Sequence, residues 1–260
     1  AVTQCVETAS LFFGLGRDES LKLRLAAEEI FSYLCDRVCR GKPVDMVCLG
    51  GLFYARVEFQ FSVSALDMGA LNMTTAVPVD GDMTQMGLVL ASRTVDRLYM
   101  TTGVPNSVVL AVEQDKAYPR LDGTSGKTVT ARGALTVVEP DAEEVRRFAL
   151  QIGVGVPDPL RPDFFHYPGK VADRVAAGDC RALVARDEAG TLAGGILYRP
   201  LTERMVEVFS PCIFDPARED DLAAALMEAC LAKTARTKAV GLVNLTGLPA
   251  SLRPQFETLG

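Results

Sequence analysis

The sequence has no tryptophan and only one histidine, His166. Its seven cysteines are odd in number and scattered, with no C-x-x-C pair. Cys35 and Cys39 share a helical face, but no histidine lies near them. That pattern excludes a recognisable zinc site and a disulfide frame, and it implies reduced thiols in a cytoplasmic protein. No apolar run reaches the roughly 18 residues that a membrane-spanning helix needs, and no signal peptide is visible at Ala1. Positive charge is not in excess either: the formal net charge of -6 argues against a general nucleic-acid binder. What remains is ordinary globular composition, 48% hydrophobic and 23% charged over 260 residues, enough for one large domain or two ordinary ones.

In the first half, Asp18 and Ser20 are candidate caps for a helix beginning near Leu21. Leu23, Ala27, Ile30, Leu34 and Val38 follow the helical period, so that face is core. Arg40-Gly41-Lys42-Pro43 ends the helix. Strands are predicted at Met46 to Leu49 and Phe53 to Val63, the second alternating Tyr54, Arg56, Glu58, Gln60 with Ala55, Val57, Phe59, Phe61. An irregular, Met-rich segment follows to Thr84. The stretch Gln85 to Val112 then reads as a glycine turn, an apolar helix over Leu88 to Val95 closed by Asp96-Arg97, a Thr-Gly-Pro loop and a β-branched strand. This order predicts an α/β sandwich with helices on one face of a mostly antiparallel sheet.

Residues 85–112 resemble the last helix and strand of the anti-sigma-factor branch of the histidine-kinase-like ATPase superfamily, where G-x-G-L-x-L-x-R-x-L-V-D leads to N-x-L-x-L. The first helix resembles that superfamily's E-x-x-x-N helix, whose glutamate orients a water and whose asparagine holds Mg²⁺. Here Glu29 matches, and Tyr33 takes the asparagine position, where a phenol is a poor ligand for a hard cation. Counting back from Leu66-Asp67, the adenine-reading aspartate becomes Phe61, which accepts no hydrogen bond, and the following glycine becomes Val63. Gln85 replaces the first glycine of the turn; Gly87 survives as a backbone turn residue, and Asn106 matches as framework. Glu29 reads first as a solvated or capping carboxylate, and as a catalytic base only if the pocket is intact.

Residues 119–130 have linker composition. Gly123 to Thr128 looks like a phosphate loop, but Leu121 stands where the first glycine belongs, and Val129 and Thr130 open a strand-like run rather than a helix. The domains are therefore expected at 1–118 and 131–260. The second half reads as a strand Leu135 to Val138, a helix after Pro140 with Glu143 and Glu144 in its first turn, and a helix from Pro168 to about Ala177. A hairpin follows, Ala182 to Arg186 and Leu192 to Tyr198. Next come a strand Met205 to Phe214 broken by Pro211, an amphipathic helix Leu222 to Ala235, a strand Val240 to Leu245 and a final helix Ser251 to Leu259.

This order resembles the GNAT N-acetyltransferase superfamily. The stretch from Ile213 to Lys233 tracks its V-x-P-x-x-R-G-x-G-x-G-x-x-L, in which helix N-terminal amides cradle the diphosphate of coenzyme A. Arg218 and Leu226 match, one residue is missing between Pro216 and Arg218, and Glu219, Asp221 and Ala223 stand at the glycine positions. The two carboxylates would repel a phosphate; without a ligand they suit a solvated helix start. Phe256 replaces the tyrosine that reprotonates the leaving thiolate in many relatives. The superfamily's last one or two strands have no counterpart before Gly260, so an open sheet edge is expected. His166, beside Phe164, Phe165 and Tyr167, reads as a packed or capping residue.

The fold class expected is α+β in two domains, an ATPase-type sandwich followed by a GNAT-like mixed sheet. The expected function is a non-catalytic regulatory, protein-binding protein with no cofactor and no catalytic residue. Its vestigial pockets would be Glu29, Tyr33, Phe61, Gly87 and Asn106 in the first half and Arg218, Glu219, Asp221 and Phe256 in the second. The first resemblance implies a protein partner such as a sigma factor or an anti-anti-sigma regulator, meeting Leu21 to Arg40; a homodimer is also compatible, whereas nucleic acid and membrane are not. The alternatives are an ATP- and Mg²⁺-dependent serine kinase of the anti-sigma type, resting on Glu29 and Gly87, and an acetyl-CoA-dependent N-acetyltransferase with a remodelled loop, resting on Arg218.

Overall fold

The computed structural model describes residues 1–39, 41–62, 84–102, 107–121, 129–155 and 162–257. They form two compact units, Ala1–Ala117 and Tyr118–Gly260.

The first unit opens with two helices, α1 (Val2–Phe12) and α2 (Arg17–Tyr33), and α2 runs on into a π-helical turn, Leu34–Cys39. Strands β1 (Asp45–Gly50) and β2 (Tyr54–Ser62) follow, then α3 (Thr84–Thr94), β3 (Arg97–Thr102) and β4 (Ser107–Asp115). The sheet order is β1-β2-β4-β3, and every pairing is antiparallel. Ala55, Val57, Phe59 and Phe61 of β2 and Val108, Leu110 and Val112 of β4 share one buried cluster with Leu23, Ile30 and Leu88, so the helices cover one face. That is the sandwich the alternation predicts.

Several local readings need correction. Asp18 and Ser20 lie inside α2 instead of capping it, because the extended Gly16 starts the helix a turn earlier. Ser20 is buried and bonds to Ser10 at 2.6 Å, tying α2 to α1. Gly87 is within α3, whose first residue is Thr84, so it serves no turn. The Asp96-Arg97 pair closes a helix and also opens a strand. Asp96 Oδ2 accepts from Asp115 N at 2.8 Å and from Gln114 Nε2 at 2.5 Å, which holds the start of β3 against the end of β4.

The second unit contains β5 (Thr136–Val138), α4 (Ala142–Gly155), α5 (Pro168–Ala176), β6 (Arg181–Arg186), β7 (Leu192–Pro200), β8 (Met205–Ile213), α6 (Glu219–Thr234) and β9 (Gly241–Val243). Its sheet order is β5-β6-β7-β8-β9, antiparallel except for the last pair, which is parallel. α6 packs on one face through Leu222, Leu226, Met227 and Cys230; α4 and α5 pack on the other through Phe148, Ile152 and Val171. The strands are consequently apolar on both faces, and β7 reads as one buried run from Leu192 to Tyr198.

Three expectations fail here. Pro211 does not break β8; it sits in a bulge, where its missing N–H costs no ladder bond. Ser251 to Leu259 is not a helix over its described residues, which hold only a 3₁₀ turn, Arg253–Gln255, around Pro254. Val129 and Thr130 lie outside any strand, although Val129 N bonds to Phe214 O at 3.0 Å. Among the described residues no helix is long and apolar enough to cross a membrane.

Candidate functional site

The parallel pairing of β8 with β9 begins at Met205–Gly241 and stops at Glu207–Val243. Beyond it the two strands part. On its other side β8 is bulged, because Gly195 pairs with Cys212 and Leu197 with Phe209, leaving Ser210 and Pro211 opposite Ile196 alone. The opening is a cleft of about 370 Å³ lined by Phe165, Pro211, Glu219, Thr246, Leu248 and Arg253, among others.

A short polar chain spans the mouth of the gap. Ser210 N donates to Thr246 Oγ1 at 2.9 Å, and Thr246 gives Asn244 Oδ1 both its N–H, at 2.8 Å, and its hydroxyl, at 2.6 Å. Asn244 Nδ2 is buried and has no partner among the described residues.

The loop before α6 is organised by Asp215, which is 3% exposed. Its carboxylate accepts from Ala131 N at 3.0 Å and Ala217 N at 3.2 Å, while its carbonyl accepts from Arg218 N at 3.1 Å. Arg218 turns its Nη1 to Gly133 O, 2.9 Å away. α6 then opens on Glu219, Asp220 and Asp221, and Glu219 lines the cleft. The helix start expected at Glu219 and Asp221 is thus found, and the acidic turn suits the positive end of the helix dipole. Sequence reading missed Asp215, although the Asp-Pro step just ahead of a helix was the available signal.

The diphosphate of coenzyme A does not fit this loop. One of the amides that would cradle it is taken by Asp215, Arg218 is committed to a carbonyl, and a carboxylate faces the cleft. The cleft itself is lined by apolar residues such as Phe165, Pro211 and Leu248 together with Glu219, Thr246 and Arg253, and Asn244 is tied to it only through Thr246. Phe256 is not in it. The ring packs against the core under α6, on the other side of β9. His166 is 8% exposed in a 3₁₀ turn, Asp163–His166, and its carbonyl accepts from Leu121 N at 2.7 Å.

In the first unit the two matched residues do meet: the Glu29 carboxylate lies directly over Gly87, where a Cβ would displace it. Phe61 is 4% exposed and belongs to the core, and Tyr33 packs against that core from its edge. Neither can serve adenine or Mg²⁺ from there. Asn106 and the segment Gly123 to Thr128 lie outside the described residues, as does the side chain of Gln85.

The face of the first sheet away from the helices holds a charged network that sequence reading did not find. Glu113 bonds to Arg56, to Arg97 Nε at 2.5 Å and to Tyr99 OH at 2.8 Å, and Arg97 reaches on to Asp115 at 2.5 Å. Burial and Glu113 together push the Tyr99 hydroxyl well above its ordinary range. The signal was present as charge at alternate positions: Arg56 and Glu58 on β2, Glu113 and Asp115 on β4.

No family model matches the chain, and no curated protein matches it. Among solved structures it is similar to a ribosomal-protein-alanine N-acetyltransferase from Brucella melitensis biovar Abortus 2308, at 18% identity over 49% of this chain and 94% of that one, with a TM-score of 0.36. It is also similar to an acetyltransferase from Trypanosoma brucei, at 14% identity over 49% of this chain and 95% of that one, TM-score 0.38. A third is an aminoglycoside acetyltransferase from an uncultured soil metagenomic sample, at 18% identity over 47% and 86%, TM-score 0.34. Scores at this level do not establish a shared fold, so the reading of the site rests on its own geometry.

Proposed function

We propose that the second unit is an N-acetyltransferase-type domain whose cleft takes the thioester arm of an acyl donor while its α6 loop rejects the donor's diphosphate. The observation that carries this reading is the early end of the β8–β9 pairing, which leaves a cleft of about 370 Å³ over the β8 bulge. The element order supports it: a strand, two helices, three antiparallel strands, a helix and a parallel strand follow the order that the GNAT resemblance implies. This chain's own contribution would be positional, with the Thr246–Ser210 bond fixing the width of the mouth.

The test is calorimetric titration of the full chain with acetyl-CoA and with S-acetylpantetheine, which carries no phosphate. S-acetylpantetheine is expected to bind at least as tightly as acetyl-CoA. The double variant Glu219→Gln, Asp221→Asn should improve acetyl-CoA binding by up to about thirtyfold, since each removed like charge is worth about 1 kcal/mol at 4 Å in a water-like medium. Binding of neither compound at millimolar concentration would end the reading.

A second reading, favoured by the burial of Phe61 and the absence of a hydroxyl at Phe256, is a non-catalytic regulatory protein. In it the ATPase-type first unit meets a protein partner, a sigma factor or anti-anti-sigma regulator, through Leu21 to Arg40. Calorimetry with ATP and Mg²⁺ addresses it: micromolar binding would restore the kinase alternative based on Glu29 and Gly87.

A further inference from the structure

In the first unit α1 lies along β1, and two thiols meet between them. Cys48 of β1 pairs across the sheet with Val57 and packs against the same buried cluster as Val2 and Val6 of α1. Gly50, two residues on and so on the same face, is covered by the Phe13 ring at the end of α1: a Cβ there would stand 2.3 Å from that ring. Cys5 immediately precedes Val6, and its thiol shares a hydrogen bond with the thiol of Cys48. The segment between the two cysteines contains the whole of α2, so the fold and not sequence proximity brings them together.

The two environments differ. Cys5 is exposed, whereas Cys48 is half-buried. Burial and the neighbouring Cys5 push the Cys48 thiol from 9.0 up to about 11, so it is protonated at neutral pH. Among the described residues no group of three or more Cys, His, Asp or Glu could hold a metal ion, so the pair lacks the further ligands of a tetrahedral site. Cys35 and Cys39, a turn apart in the π-helical segment, are a second pair of neighbours, but on one element and with Cys39 buried.

We propose that Cys5 and Cys48 form a reversible oxidation site, at which hydrogen peroxide converts the two thiols into a disulfide that fastens α1 to β1. Cys5, the thiol open to solvent, reacts first. Its thiolate sulfur bonds to one peroxide oxygen as the O–O bond breaks; the released hydroxide takes up the proton that the thiol gave, leaving water and a sulfenic acid. The Cys48 sulfur then attacks the Cys5 sulfur, the S–O bond breaks, and the hydroxyl leaves with the Cys48 proton as a second water. Two thiols are oxidised and one peroxide is reduced, and a dithiol reductant restores the pair. A protonated Cys48 makes the second step quicken as pH rises toward about 11. The site is independent of what the cleft in the second unit binds.

Peptide mass spectrometry tests it on the full chain, oxidised with hydrogen peroxide, alkylated and digested without reductant. A linked Cys5–Cys48 peptide is expected as the main product, lost on treatment with dithiothreitol. Dimedone, which traps sulfenic acids, should label Cys5 at least fivefold more in Cys48→Ala than in the unsubstituted chain, because the resolving thiol is gone. Oxidation should raise the thermal midpoint of the unsubstituted chain's first unit by several degrees and leave that of Cys5→Ser, an exposed substitution, where it was. A Cys35–Cys39 link or a Cys5–Cys5 dimer as the main product overturns the proposal. So does dimedone labelling of Cys5 that Cys48→Ala leaves unchanged.

Discussion

Cys180, Cys212 and Cys230 are buried in the second unit, and burial pushes each thiol from an ordinary 9.0 up to about 12. The folded unit holds these thiols neutral where the unfolded chain has begun to ionise. A group whose folded pKa is raised contributes stability in full below its unfolded value and loses it as pH climbs toward the folded one. The second unit should therefore weaken as pH rises from 9.0 toward about 12. Urea midpoints across that window, compared between the natural chain and a variant with all three cysteines changed to alanine, check this. The natural chain should fall more steeply, and parallel slopes would mean that the thiols ionise in place. Exposed Cys5 and Cys35 provide the internal contrast, since they should react with iodoacetamide in the folded chain while the buried three do not.

Whole elements show what a linear pattern can and cannot carry. β7 was readable because an uninterrupted apolar run followed by a polar turn has few other homes. Its two glycines have a more particular cause: a Cβ on Gly195 would stand 2.5 Å from the Phe148 ring of α4 and 2.8 Å from Leu183 O. Gly195→Ala should thus cost about 1–3 kcal/mol by overpacking. Phe148→Leu in the same chain should return part of that loss, so the double variant should be more stable than the sum of the singles predicts. Strict additivity in chemical denaturation would show that the ring does not lie on that strand. β3 was missed although Arg97, Tyr99 and Thr101, on the charged side of the sheet, alternate with Leu98 and Met100 on the core side; at six residues the run is short, and it follows the helix end directly. The bulge at Ser210 and Pro211 was hidden because proline ordinarily argues against a strand interior. The cleft follows from that bulge and from Asp215, and both are properties of pairing across the sheet that one strand's sequence does not display.

At the level of the molecule, each unit owns its hydrophobic core: one cluster lies under the helices of the first, and two lie on opposite faces of the second sheet. Turn-forming residues gather at 119–130 between two runs of regular pattern, and the compact units meet at Ala117 and Tyr118. Which charges stabilise each half was not legible, because Glu113, Asp115 and Asp215 find their partners across 16 to 84 residues. Units with separate cores are expected to unfold in separate cooperative steps. With no tryptophan available, heat capacity or circular dichroism must report them. Arg97→Ala leaves Glu113 and Asp115, 4% and 5% exposed, with weakened pairing. Arg97 is itself partly exposed and Arg56 still holds Glu113, so the cost should be about 1–3 kcal/mol, below that of breaking a fully buried pair. Asp215→Ala removes the acceptor of two backbone N–H groups and should cost about 1–3 kcal/mol for the donors left unpaired. The first substitution should lower the transition of the first unit alone, and the second that of the second unit alone. If either moved both transitions together, or if the chain melted in one step, the two cores would be acting as one folding unit, and assigning the charges to separate halves would fail with it.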